Sequence, residues 1–271
     1  MRLDLAYDGT DFSGWARQPG RRTVQAVVED ALTTALRVSD PISLVVAGRT
    51  DAGVHAIGQV AHAEIEGSPD PARLASRLAG LLPADVRARA VNVAPEGFDA
   101  RFSALSRCYE YRVSDDPAGV DPLRRHETAH HHDPLDVERM NASAAWLIGE
   151  HDFAAFCRQR EGATTVRRLL RLDCVRTEGA VVITAEADAF CHSMVRALVG
   201  ALLAVGAGRR PPEWPREVLG GGVRDPSVRV APAHGLTLVA VRYPPDEQLA
   251  TRAGETRSRR STATEARLRR E

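Results

Sequence analysis

The sequence contains no lysine, because all 36 of its basic residues are arginine. Arginine presents a planar fork of donors that suits phosphates and nucleobases. A GC-rich genome also replaces lysine by arginine, and this explanation takes the larger share, so arginine content alone does not establish RNA binding. The 36 acidic residues bring the formal net charge to zero, which provides no overall attraction for a polyanion.

Cysteine is also scarce. The four cysteines stand far apart, at positions 108, 157, 174 and 191, and none belongs to a CxxC pair or another zinc-binding spacing. The sequence therefore predicts neither a disulfide framework nor a metal site. We expect each cysteine to be a small buried apolar residue.

Long apolar runs are missing as well. No stretch approaches the roughly 20 apolar residues that a membrane-spanning helix needs, and residues 1–4 do not begin a secretory signal. We therefore expect a soluble, cytoplasmic protein with no membrane contact. Hydrophobic residues still make up 44% of the 271 residues, which is enough for one large domain or two small ones.

The spacing of the apolar residues predicts an α+β fold. Alternation predicts strands at 2–7, 42–47, 59–65, 86–93, 107–113, 169–175, 181–187 and 236–243. Helical spacing predicts helices at 24–37, 71–81, 135–148 and 191–206. Because hairpins occur rather than strict βαβ alternation, we expect a largely antiparallel sheet with helices on one face.

Composition divides the chain into four parts. We place an N-terminal half at residues 1–112, a connecting insertion rich in Asp, Pro and His at 113–133, and a C-terminal half at 134–245. Residues 246–271 are charged and poor in apolar side chains, so we expect a disordered tail there.

The segment GRTDAG places a carboxylate, Asp51, between two glycines, two residues after Arg49 and directly after a predicted strand. Such a loop can hold an acid rigidly at a sheet edge, and a neighbouring arginine can keep it ionised. A nucleophilic or basic carboxylate needs both properties at neutral pH. The alternative is an ordinary turn in which Asp51 bonds its own backbone.

Aromatic residues and one arginine add further candidates. Phe12 and Trp15, in the loop YDGTDFSGW, can stack on bases or anchor the loop to the core, and we favour the anchor. Tyr109 and Tyr111 share one face of a predicted strand, where one can face a substrate or both can be buried. Arg196 lies in an apolar helix and is expected to have a partner, because an unpaired buried cation is costly.

Five stretches, in this order, resemble the tRNA pseudouridine synthase A (TruA) family: YDGTDFSGW, GRTDAGVHA, FDARFSA with RCYEY, FCHSMVRALVG, and APAHGLTL. The resemblance runs from about Leu3 to Pro244. It implies the pseudouridine synthase fold, in which two related halves form a mixed, largely antiparallel sheet with flanking helices and a central cleft.

The resemblance also implies an activity, the isomerisation of uridine to pseudouridine at positions 38, 39 and 40 of the tRNA anticodon stem-loop. It implies that Asp51 is the nucleophile, that Tyr109 stacks against the target base, that Arg196 pairs with the aspartate, and that Arg49 helps displace and replace the flipped nucleotide. No redox, metal or nucleotide cofactor is implied, and family members work as homodimers.

A homodimer offers one answer to the zero net charge, because arginines of both subunits can form a single basic groove. The candidates for this groove are Arg17, Arg21, Arg22, Arg158, Arg160, Arg167 and Arg168. Two rival interpretations are a non-catalytic RNA-binding protein with the same fold and a hydrolase that uses Asp51 with His55. The presence of Asp51, Tyr109 and Arg196 favours the enzyme.

Overall fold

The structure, a computed structural model, describes residues 1–158 and 164–268, with residues 259–268 described as helix backbone alone. The strands of the described ranges are β1 Arg2–Tyr7, β2 Val45–Val46, β3 His55–His62, β4 Val86–Asn92, β5 Ser106–Ser114, β6 Ala129–His130, β7 Gly149–Asp152, β8 Val166–Thr177, β9 Ala180–Ala187 and β10 Leu236–Arg242. The α-helices are α1 Val24–Leu36, α2 Pro71–Leu81, α3 Val137–Ala145, α4 Met194–Gly206, α5 Trp214–Gly220 and α6 Leu249–Leu268. The 3₁₀ helices within these described ranges are Pro122–Arg124, Ala154–Phe156, Ala233–Gly235 and Asp246–Gln248.

These elements confirm the predicted α+β class with a mixed, largely antiparallel sheet. The pairings of β1 with β3 and β4, of β9 with β5 and β8, and of β7 with β8 are antiparallel, whereas β6 runs parallel to β5. Helix α2 has the predicted bounds, because Asp70 caps it by accepting hydrogen bonds from two amides of the first turn and Pro71 has no amide to satisfy there.

One compact unit contains Met1–Leu105 and Leu238–Arg260. Its strands lie in the order β4-β1-β3-β10, and β2 pairs with the C-terminal end of β3. The strand predicted at 42–47 shortens to Val45–Val46, because the amide of Leu44 donates instead to the Glu29 carboxylate of α1, at 2.9 Å. Side-chain capture of a backbone donor therefore ends the strand early.

The second compact unit contains Ser106–Thr237, in which the strands lie in the order β5-β9-β8-β7. The predicted hairpin turns at Glu178 and Gly179, as expected, and α4 is buried along most of its length. These units differ from the predicted halves. Strand β5, placed by composition in the N-terminal half, pairs with β9 and so belongs with the second unit.

The predicted tail at 246–271 also differs from the structure, which has helix α6 from Leu249 to Leu268. Leu249 and Ala253 are each only 2% exposed, and Arg257 forms an ion pair with Asp99 at 2.7 Å. The composition of the segment could not indicate this helix, because its packing partners lie about 150 residues earlier in the chain.

The prediction that the cysteines form no disulfide is wrong for one pair. Cys157 and Cys191 form a disulfide, with their Cα atoms 5.8 Å apart, whereas Cys108 and Cys174 lie outside this disulfide and are buried as predicted. The pair is 34 residues apart in sequence, so spacing did not reveal it. Among the described residues, no helix is both long enough and apolar enough to cross a bilayer.

Candidate active site

Asp51 lies in the loop that joins β2 to β3, and its side chain is half-buried. The loop closes on itself, because the amide of Val54 donates to the carbonyl oxygen of Asp51 at 3.2 Å. Arg49, two residues earlier, is exposed. A short loop with a closed backbone presents the carboxylate of Asp51 from a fixed position at the end of a strand.

The N-terminal loop, residues 8–22, is hydrogen-bonded to the Asp51 loop through its backbone. The amide of Trp15 donates to the carbonyl of Thr50 at 3.0 Å, and the amide of Gly53 donates to the carbonyl of Phe12 at 3.3 Å. Trp15 and Phe12 are 1% and 3% exposed, so both are anchors in the core, as favoured from the sequence. Gly14 makes the approach possible, since it has φ +90° and a Cβ there would lie 2.9 Å from the carbonyl oxygen of Thr50.

A chain of buried polar side chains lies beneath the same loop. The Nε2 of Gln59 donates to the carbonyl oxygen of Gly48 at 2.7 Å and to the hydroxyl of Tyr7 at 3.1 Å. The Tyr7 hydroxyl is in turn 2.8 Å from the Oγ1 of Thr50. Burial raises the pKa of Tyr7 to about 12, so this phenol stays protonated at neutral pH. Sequence reasoning missed Gln59 and Thr50, because nothing local shows which polar residues become buried.

His55 packs the opposite end of the loop. Its Nδ1 accepts a hydrogen bond from the amide of Gly9 at 3.0 Å and lies 3.1 Å from the carboxylate of Asp8. The ring is buried. Because Nδ1 accepts from the backbone, this tautomer carries its hydrogen on Nε2 and has no free ring nitrogen to act as a base, which weighs against the hydrolase interpretation.

Tyr109 lies on β5 in the second unit and is 7% exposed. Its ring meets that of Phe190 edge-on, with centroids 5.3 Å apart and planes at 86°. Tyr111, two residues further along the strand, is fully buried, so both tyrosines of the motif are buried.

Arg196 lies in the first turn of α4 and is held by the segment that follows α5. Its Nε donates to the carbonyl of Ala231 at 2.7 Å, and the amide of Ala231 donates back to the carbonyl of Arg196 at 3.0 Å. The close packing requires Gly200, one turn later, since a Cβ there would lie 1.7 Å from the carbonyl oxygen of Arg229. The APAHGLTL motif thus begins at the residue that orients Arg196.

Two arginines proposed for a basic groove are engaged in ion pairs. Arg17 contacts Glu29 at 2.9 Å and Asp30 at 2.7 Å. Arg22 makes a bidentate contact with Asp85, at 2.7 and 2.9 Å. Partner carboxylates reduce what these two charges can contribute to binding a phosphate.

The other groove candidates lie in different settings. Arg167 is half-buried and donates to the carbonyls of Val166 and Thr164, and burial lowers its pKa. Arg21, Arg158 and Arg168 are exposed. Arg160 lies outside the described residues.

The predicted catalytic residues divide between the two units. Asp51 and Arg49 belong to the first, in which Thr50, Tyr7 and Gln59 support the loop, and Tyr109 and Arg196 belong to the second. The first unit therefore supplies an oriented carboxylate, and the second supplies an aromatic ring and an oriented guanidinium group.

Comparison with known proteins identifies the family. A family described as tRNA pseudouridine synthase matches residues 5–103 and 144–244. Proteins named tRNA pseudouridine synthase A from Frankia casuarinae, Streptomyces griseus and Mycobacterium leprae are 64%, 58% and 50% identical to this chain. The matches cover 95%, 96% and 97% of this chain and 94%, 94% and 96% of those proteins.

A solved structure titled "Crystal Structure of a Cbf5-Nop10-Gar1 Complex" is 10% identical to the chain, with a TM-score of 0.34, over 76% of this chain and 55% of that one. A likeness at this score carries no argument. The family match and the level of identity to the three bacterial proteins agree with the resemblance of the five motifs. The chain belongs to the tRNA pseudouridine synthase A family.

Proposed function

We propose that this tRNA pseudouridine synthase acts on uridines 38, 39 and 40 of the anticodon stem-loop, with Asp51 as its nucleophile. The observation that carries the proposal is the Asp51 loop itself. The side chain of Asp51 is half-buried. The amide of Val54 donates to the carbonyl of Asp51, and the amide of Trp15 donates to the carbonyl of Thr50. Groups that must attack one atom of a bound substrate need this kind of fixed position.

The chemistry uses one carboxylate and no cofactor. The bond between C1′ and N1 of uridine breaks, the uracil rotates while it is held, C5 forms a new bond to C1′, and the proton lost from C5 is balanced by one gained at N1. Asp51 can attack C1′ to give an acylal or remove a proton from C2′ to give a glycal. A deuterium at C2′ separates the routes, because only the glycal route breaks the C2′–H bond.

Three further residues have proposed roles in this reaction. Tyr109 stacks against the extruded uracil, Arg196 pairs with Asp51, and Arg49 fills the space that the flipped nucleotide leaves in the RNA stem. The hydrogen bond from Nε of Arg196 to Ala231 supports its role, since it fixes the plane of the guanidinium group. The exposure of Arg49 suits a group that must enter an RNA stem.

The decisive experiment measures pseudouridine in an unmodified tRNA that carries a single uridine at position 38, 39 or 40, with the purified protein and the variant Asp51→Asn. We expect the variant to lose at least about 1,000-fold in single-turnover rate, because no other group replaces a nucleophile. Binding of the tRNA should change by less than about threefold, since the shape of the side chain is kept.

Asp11→Asn is the matched control, because it removes a carboxylate from an exposed position of the neighbouring loop. It should keep the parent rate. If the protein modifies uridines elsewhere in the tRNA but none at positions 38–40, the assignment of the target site is refuted. A full rate in Asp51→Asn would refute the assignment of the nucleophile, and tRNA binding by a protein without any activity would favour the RNA-binding interpretation.

We also propose that the protein works as a homodimer in the cytoplasm, where tRNA is its substrate. The support is electrostatic, since a chain of zero net charge gains a basic surface only where arginines cluster, and two subunits can combine Arg21, Arg158 and Arg168 with the other groove candidates. Light scattering should give twice the chain mass of 29.4 kDa. A monomer at the concentrations used for the assay would refute the shared groove.

A further inference from the structure

The chain of polar groups beneath the Asp51 loop is continuous through three side chains. The side-chain nitrogen of Gln59 can only donate, and its two hydrogens go to the carbonyl of Gly48 and to the hydroxyl of Tyr7. The Tyr7 oxygen is therefore an acceptor toward Gln59, and the hydroxyls of Tyr7 and Thr50 share a second hydrogen bond at 2.8 Å. The chain thus runs from Gln59 through Tyr7 to Thr50.

This polar chain holds two points of one short segment. The carbonyl of Gly48 accepts from the amide of Gln59, and the hydroxyl of Thr50 is hydrogen-bonded to that of Tyr7, so both neighbours of Arg49 are tied to the sheet. Asp51 follows Thr50 directly. The backbone between the two ties cannot shift without breaking a buried hydrogen bond.

Burial makes each of these bonds costly to break. Gln59 is fully buried, and Tyr7 and Thr50 are 5% and 6% exposed. A buried donor or acceptor that loses its partner cannot turn to water. Gln59 also faces the interior from the middle of β3, where its strand neighbour Val60 is apolar. An apolar residue would serve packing better, which points to a role for the amide in holding the loop.

We propose that Gln59 and Tyr7 are positioning residues that hold the Asp51 loop in its reactive geometry. The inference rests on the proposed role of Asp51 and extends it to residues that do not touch the substrate. The reacting carboxylate must stay within a fraction of an ångström of its target atom, and a displacement of about 1 Å can reduce a rate about 100-fold. Loss of the polar chain should therefore act on the chemical step.

The first test is Tyr7→Phe, which keeps the ring that packs against Trp15 and removes only the hydroxyl. We expect the single-turnover rate at saturating enzyme to fall about 10- to 100-fold, whereas the dissociation constant for tRNA changes less than about threefold. The pH dependence of the rate should keep its form, because a positioning residue does not exchange protons with the substrate. A shifted profile would instead assign Tyr7 a proton-transfer role and overturn the inference.

Tyr243→Phe is the matched control. It deletes the same hydroxyl from the same compact unit, where Tyr243 donates to the carbonyl of Ala100 at 2.7 Å. This variant should keep the parent rate even if it melts at a lower temperature. If Tyr7→Phe and Tyr243→Phe lose rate equally, the effect is general destabilisation and the inference fails.

A second pair of variants tests the other end of the chain. Thr50→Val removes the hydroxyl and keeps the shape, whereas Thr50→Ser keeps the hydroxyl and removes a methyl group. We expect Thr50→Val to lose rate as Tyr7→Phe does, and Thr50→Ser to recover most of that loss. This pair decides the matter if Tyr7→Phe does not fold, and equal rates for the two would overturn the inference.

The variant Asp51→Asn separates the two proposals. If it is inactive and Tyr7→Phe and Thr50→Val react at the parent rate, the positioning inference alone is wrong. If Asp51→Asn reacts at the parent rate, the proposed nucleophile is wrong, whatever the other variants do.

Discussion

Replacing Gly14 by alanine should disturb the proposed active site through the backbone alone. Gly14 has φ +90°, and a Cβ there would lie 2.9 Å from the carbonyl oxygen of Thr50 and 3.1 Å from the amide nitrogen of Ala52. Both atoms flank Asp51. Since both contacts are to backbone, no side chain can rotate away, and the two loops must separate.

The size of the effect follows from two contributions. An L-residue at positive φ costs roughly 1–2 kcal/mol, of which about 0.4–1 kcal/mol is offset because alanine restricts the unfolded chain. Forcing a methyl group into a filled space adds about 1–3 kcal/mol. The free energy of unfolding should therefore fall by roughly 1–5 kcal/mol, and a displacement of the loop by part of an ångström should lower the single-turnover rate about 10-fold or more.

Gly20→Ala is the matched control, because Gly20 has φ +66° in the same N-terminal loop and a Cβ there would meet nothing within 4 Å beyond its chain neighbours. It should show the cost of an L-residue at positive φ without the cost of forcing a methyl group into filled space, and it should keep the parent rate. Urea unfolding and single-turnover pseudouridine formation measure the two quantities. Equal stabilities and equal rates for Gly14→Ala and Gly20→Ala would refute the claim that close backbone approach positions Asp51.

Three further predictions follow from other parts of the structure. The bidentate contact with Arg176 holds the pKa of Asp115 at about 2, below its ordinary 3.8, so its contribution to stability is present above about pH 4 and is lost as the pH falls toward 2. Asp115→Asn should cost about 1 kcal/mol at pH 7, since half of the arginine is exposed, and acid titration of the melting temperature should show no such loss in the variant. Leu249→Ala should cost about 2–5 kcal/mol, because Leu249 is 2% exposed in a cluster of buried apolar residues, and a chain whose denaturation midpoint does not change would refute the packing of α6. Alkylation after denaturation without reductant should label two of the four cysteines, and four after reduction, whereas four labels in both would refute the disulfide between Cys157 and Cys191.

Local pattern predicted most elements of this fold, since each depends on neighbours within one helical turn or one strand. Helix α2, with its Asp70 cap, and the hairpin of β8 and β9, with its Gly179 turn, have the strongest local signals, and both were predicted closely. The five motifs identified the family, and they singled out Asp51 and Arg196 before any geometry was known. That assignment rests on resemblance, because an isolated RTDAG is more often an ordinary turn.

Tertiary structure decided the features that depend on residues far apart in the chain. Strand β5 belongs with the second unit because its partner is β9, and α6 forms on a surface that includes Asp99, 158 residues before Arg257. The support of the Asp51 loop is of the same kind, since Tyr7 and Gln59 are 52 residues apart and only the pairing of β1 with β3 brings them together. A sequence shows that a residue is polar, but its burial and its hydrogen-bond partners are set by the packing of strands that the chain connects only through long loops and helices.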